Sequence, residues 1–149
     1  MSDRIVSSSR EIAAPALAIF DLIADPARQP EWDGNDNLSR ADDDQRVNGV
    51  GDTFLMHNTS GRVRENHVVE FQEARVIAWK PSEEGKPPPG HLWRWELEPI
   101  DDGHTRVTHT YDWTDLEDEN RLARARATTS DKLAASVDRL AALAESGGQ

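Results

Sequence analysis

Three residues combine an ionisable side chain with a place on an apolar stripe. Strict alternation in the segment GRVRENHVVEF groups Val63, Glu65, His67, Val69 and Phe71 on one strand face. In TRVTHTYDW it groups Val107, His109, Tyr111 and Trp113 against Thr108, Thr110 and Asp112. An unpaired charge inside a protein costs several kcal/mol, so Glu65, His67 and His109 need a partner, a ligand or water. Three chemistries are open to them. They can form the polar end of a ligand pocket. They can act catalytically, with His67 or His109 as a general base removing a proton next to a carbonyl and Glu65 as a second acid–base group. Or they can sit hydrated at a strand end or a cavity mouth and do neither.

The walls of such a pocket are legible from the same alternation. HLWRWELEP places Trp93, Trp95 and Leu97 opposite Arg94, Glu96 and Glu98, and the tryptophan face is the inward one. Five tryptophans stand against three phenylalanines and one tyrosine, and a buried indole needs a partner for its N–H, so several in a small chain point to a lined space. The expected ligand-binding residues are Trp93, Trp95, Tyr111, Phe54 and Val69, with Leu133 and Val137 from a helix. Trp32 reads as a packing residue and Trp79 as core or rim.

Metal and cofactor chemistry find little support. Cysteine is absent, which removes thiolate ligands, disulfides and a cysteine nucleophile together. His67 and His109 fall three strands apart in the expected sheet, and at ~4.8 Å per strand they are too distant to share a zinc unless the sheet curls strongly. His57 alternates with Phe54 and Met56 and points outward. Gly49-Val50-Gly51 lacks the third glycine of a dinucleotide loop and precedes a strand. No metal and no cofactor are expected.

The chain has 149 residues, about one domain's worth. It carries 17 basic and 28 acidic residues, a net charge of −11, and its mean hydropathy is −0.74. Such a surface repels nucleic-acid phosphates and anionic headgroups. No apolar run approaches the ~18 residues of a membrane span, and the N-terminal segment lacks a signal-peptide core. These features predict a cytoplasmic protein with no nucleic-acid partner and no membrane insertion; they leave its oligomeric state open.

The elements that must position these residues follow in order. A strand over 4–11 leads into a helix from Pro15, which Asp25-Pro26 stops. A short helix or turn spans ARQPEW, and residues 34–46 read as a surface loop. Strands are predicted near 46–50, 53–58, 62–72, 75–80, 91–99 and 104–113. Thr114-x-x-Glu117 matches a capping box for a long C-terminal helix, with a break at Thr128-Thr129-Ser130. The tail 146–149 is expected to fray. One long helix is available to cover one face of a seven-stranded antiparallel sheet, an α+β arrangement.

The segments IAAPALAIFDLIADPARQPEW, VVEFQEARVIAWK, WRWELEPIDDGHTRVTHTYDW and LAASVDRLAALAE resemble the polyketide cyclase/dehydrase and lipid-transport family of the START-like (Bet v 1-like) superfamily. That resemblance covers nearly the whole chain and implies the helix-grip fold, a curved sheet wrapped around the C-terminal helix. It implies a small hydrophobic or aromatic ligand in an internal cavity. The alternatives are a cyclase or dehydratase acting in the same cavity, and an interaction protein whose cavity is vestigial. Fold-level likeness leaves that choice open.

Overall fold

The computed structural model describes residues 4–146. Strand β1 (Ile5–Ile12) leads into helix α1 (Ala16–Ala24) and a 3-10 turn (Pro26–Glu31). Six strands follow: β2 (Leu38–Arg40), β3 (Thr53–Asn58), β4 (Val63–Gln72), β5 (Val76–Glu83), β6 (Leu92–Asp101) and β7 (His104–Asp112). Helices α2 (Glu119–Ala127) and α3 (Ser130–Glu145) close the chain. The strands form one antiparallel sheet in the order β1-β7-β6-β5-β4-β3-β2. Helix α3 lies against β1, β7 and α1.

Helix α1 ends where proline forbids its continuation, and its last three carbonyls find partners. Leu22 O accepts from the Trp32 indole at 2.8 Å, Ile23 O from the Gln29 amide at 3.0 Å, and Ala24 O from the Val47 N–H at 2.9 Å. Side chains from the next turn thus replace the missing helical donors. This ties the α1 end to the segment that enters the sheet.

Two strand assignments differ from the sequence reading. No strand forms at 46–50, because the Asp52 carboxylate accepts the N–H groups of Asn48 at 2.8 Å and Gly49 at 3.2 Å and curls the segment into a turn. The seventh strand is β2, inside the predicted loop, paired along the end of β3. Edge pairing decided this against local composition.

At the other end, the break between α2 and α3 falls at Thr128-Thr129, as propensity predicts. Thr114 does not cap a helix. Its N–H goes to the Asp112 carboxylate, and the cap of α2 is Asp118, which accepts the Asn120 N–H at 3.0 Å. Ser146 closes α3 by donating its N–H to Ala142 O; the rest of the expected frayed tail, 147–149, lies outside the described residues.

Candidate functional site

Strands β6 and β7 supply the centre of the site. Their register sets Trp93 opposite Tyr111 and Trp95 opposite His109, and cross-strand neighbours on one face touch. The Trp95 and His109 rings stack with centroids 3.7 Å apart and planes 12° apart. Trp93 lies 4.2 Å from Tyr111. Trp32 meets Trp95 edge-on at 5.1 Å. Together with Trp79 these rings line a cavity of about 470 Å³ between the sheet, the 3-10 turn and the α2–α3 junction, within the usual size range of small-molecule sites.

The cavity is more polar than the sequence suggested. Arg64, Asn66, His91 and Asp33 line it, and so do Asn58 and Lys132. Three buried side-chain atoms have no hydrogen-bond partner among the described residues: Asn58 Oδ1, His91 Nδ1 and Trp95 Nε1. All three belong to residues on the cavity wall.

His109 is 4% exposed, and burial drives its pKa down to about 3, against the opposing pull of the Arg94 carbonyl. It is therefore neutral at pH 7. Its Nδ1 lies 3.1 Å from that carbonyl. A carbonyl only accepts, so Nδ1 carries the proton and Nε2 the lone pair. Burial, with Arg121, Arg64 and Arg124 nearby, likewise lowers His91 to about 4. Tyr111 is pushed up to about 12 by burial and keeps its proton. Burial also raises Asp33, although its carboxylate accepts backbone N–H groups from Asn35 and Asn37.

Close backbone approaches hold the walls in place. A Cβ on Gly34 would sit 2.6 Å from Ser136 N, and the Gly34 N–H donates to Ser136 Oγ at 2.8 Å. Arg139 adds a bond to the Asp33 carbonyl at 2.7 Å. The loop bearing Asp33 is thereby clamped onto α3. Gly90, at φ +129°, is pressed against the Asp115 carbonyl, a place only glycine fits, and it delivers His91 into the cavity.

The structure separates the residues that the sequence grouped. His109, Trp93, Trp95 and Tyr111 line the cavity. Glu65 and His67 do not. A β-bulge between Val68 and Glu70 reverses the parity of β4, so the alternation that correctly turns Phe71 inward fails on the other side of the bulge. Arg64, Asn66 and Val68 point inward with Met56, Phe54 and Trp79, their cross-strand partners. On the outer face His67 Nε2 lies 3.0 Å from Ser82 Oγ, and Glu65 accepts the Gly85 N–H at 3.1 Å.

The same bulge leaves Val69 43% exposed, which removes it from the cavity wall. Phe54, Leu133 and Val137 are at most 1% exposed but belong to the packed core instead of the cavity lining. The apolar stripe of α3 is consumed by packing, and the α2–α3 junction covers the cavity in its place. Sequence reasoning missed His91, although it shares parity with Trp93 and Trp95. It also missed Asp33, Arg64 and Asn58, and only the doublet Val68-Val69, apolar on both parities, hinted at the bulge behind Arg64. Among the described residues no group of three or more His, Asp or Glu is placed to hold a metal ion. Among the described residues no helix is long and apolar enough to cross a membrane.

A seven-stranded antiparallel sheet gripping a C-terminal helix, with a cavity between the sheet and the α2–α3 junction, defines a helix-grip protein. Solved structures share the architecture at low identity. The Zhui aromatase/cyclase from a Streptomyces species matches with a TM-score of 0.70 at 17% identity, over 98% of this chain and 96% of that one. A Mesorhizobium loti protein matches with a TM-score of 0.70 at 18% identity, over 96% and 98% of the two chains. These likenesses establish the fold alone. Residues 3–145 match the model of the polyketide cyclase / dehydrase and lipid transport family, and the chain belongs to that family. The uncharacterized protein Rv0088 of Mycobacterium tuberculosis is 37% identical over 110 residues, 72% of this chain. The matched region spans 47% of that relative's length.

Proposed function

We propose that the protein binds a small aromatic or hydrophobic molecule in the cavity lined by Trp93, Trp95, His109 and Tyr111. The observation that carries this reading is the set of partnerless polar atoms of Asn58, His91 and Trp95, all on cavity-lining residues. An unpaired buried polar atom costs about 1–3 kcal/mol, and three on the residues of one aromatic-lined cavity support a ligand that supplies their partners.

A cyclase- or dehydratase-type reaction is the second reading, favoured by the lone pair on His109 Nε2 and by the Asp33 carboxyl on the same cavity. An imidazole held at about 3 is a weak base, because general-base catalysis is strongest when the pKa lies near the working pH. Binding without turnover therefore ranks first, with Asp33 as the more capable proton carrier should turnover occur.

Tryptophan fluorescence titration with a panel of one- to three-ring aromatic compounds tests the proposal. Saturable quenching is expected, weakened at least about tenfold by Trp93→Ala. Absence of any saturable change across the panel would overturn it. Product formation from a bound compound, abolished by Asp33→Asn, would move the enzyme reading ahead.

A further inference from the structure

The chain carries a net charge of −11, yet the cations on its cavity wall outnumber the carboxylates. Arg64 on β4, Arg124 on α2 and Lys132 on α3 line the cavity, and Asp33 is the one carboxylate beside them among the described residues. Arg64 and Arg124 make no side-chain hydrogen bond or ion pair there. Arg121, their neighbour, is occupied by Asp118 at 3.2 Å and by Glu83 at 3.8 Å. Glu83, the carboxylate that acts on Arg64, is itself bound to Lys86 at 3.1 Å.

Burial and the charges of Arg121, Arg62 and Arg124 all lower the Arg64 pKa, with Glu83 opposing. Arg64 is half-buried while Arg124 and Lys132 are exposed beside it, and an anion joining them would offset the repulsion between like charges. His91 stands among the same arginines, with its Nδ1 buried and unpartnered. Asp33 does not relieve this end. It acts on neither Arg64 nor His91, and its carboxylate is engaged by backbone N–H groups of its own loop.

We infer that the α2 end of the cavity is an oxyanion subsite, so that the ligand is an aromatic molecule carrying a carboxylate or phosphate group held between Arg64 and Arg124, beside His91. This rests on the binding reading above. Tyr111 links the two ends: its ring touches Trp93 at 4.2 Å, and Arg124 acts on its hydroxyl. A ring lying along Trp93 therefore places a substituent near the guanidinium groups, whose planar forks match the oxygens of either anion.

Calorimetric titration with 2-naphthoate, 2-naphthyl phosphate, 2-naphthamide and 2-naphthylmethylamine tests the inference with one ring system and four headgroups. At least one anion is expected to bind at least about tenfold tighter than the amide at low salt, and the tighter of the two anions identifies the headgroup. That preference should disappear in the Arg64→Gln/Arg124→Gln variant while amide affinity is retained. Arg124→Gln alone, on the exposed side of α2, should reduce it in the same direction. Equal affinity for anions and amide, or preference for the amine, would overturn the oxyanion subsite and leave the binding reading standing. Failure of all four compounds to bind would defeat the binding reading and the subsite with it.

Discussion

Where α3 lies against β1 and β7, Val137, Leu140 and Ala141 share one packed cluster with Ile12, Leu97 and Val107, each of them 2% exposed or less. Where α2 crosses the far end of the same sheet, Arg64, Asn66 and His91 face a cavity of about 470 Å³. Strands β6 and β7 serve both regions: Leu97 and Val107 fill the packed end, while Trp93, Trp95, His109 and Tyr111 turn the same inward face toward the cavity. One end is built to exclude everything but protein. Among the described residues, the other retains unpartnered polar atoms and cations without an ion pair, which lower stability. The contrast separates the part that holds the chain together from the part that leaves space.

The sharpest test of that division is Leu140→Ala. Leu140 is 0% exposed in the packed end, and its truncation should cost about 2–5 kcal/mol in urea denaturation while ligand affinity measured on the folded fraction is unchanged. A loss below about 1 kcal/mol would mean that the packed end is not what stabilises the fold.

Acid should act chiefly through the cavity. His109 and His91 titrate at about 3 and about 4 when folded, below the ordinary 6.5, so the unfolded chain takes up protons first. Stability then falls as pH drops from about 6.5 toward those values, by up to about 1.4 kcal/mol per pH unit for each histidine. The surface His104 behaves oppositely. Its bond to Asp101 raises its pKa, so its contribution is present below 6.5 and lost as pH rises through its folded value. Denaturation midpoints at pH 7 and pH 5 check the sign, and His109→Gln should flatten the slope. A midpoint that does not fall between these values would show that water reaches the cavity histidines freely.

His91→Phe should leave stability equal or raise it by up to about 1–3 kcal/mol, because a buried nitrogen without a partner disappears; thermal melting reads this. The same variant should weaken anion binding. A clear loss of stability would show that His91 is packed for the fold and not kept for a ligand.

The smallest effect belongs to the outer face. Glu65→Gln should change stability by less than about 0.5 kcal/mol and leave ligand binding unaltered, since Glu65 faces away from the cavity and touches Gly85. Altered ligand binding in this variant would undo the inward and outward assignment of β4.

Much of the fold was legible because it rests on local rules. Proline and aspartate ended α1, alternation oriented β6 and β7, and weak helix formers at Thr128-Thr129 marked the α2–α3 break. Half of the site was readable by the same rules, since Trp93, Trp95, His109 and Tyr111 lie on strands whose alternation runs uninterrupted.

The rest depends on contacts that no local pattern contains. A single bulge at Val68-Val69 reversed which residues of β4 face inward, exchanging Glu65 and His67, candidates for the polar end of a pocket, for Arg64 and Asn66. Leu133 and Val137 had the right stripe, but the competition between filling the core and lining a cavity is settled only when α3 docks. Composition and periodicity thus determined most of the strands, the helices and an aromatic inward face. Tertiary structure decided the chemistry of the cavity, because a one-residue slip in pairing costs little locally yet moves every side chain beyond it to the opposite face of the sheet.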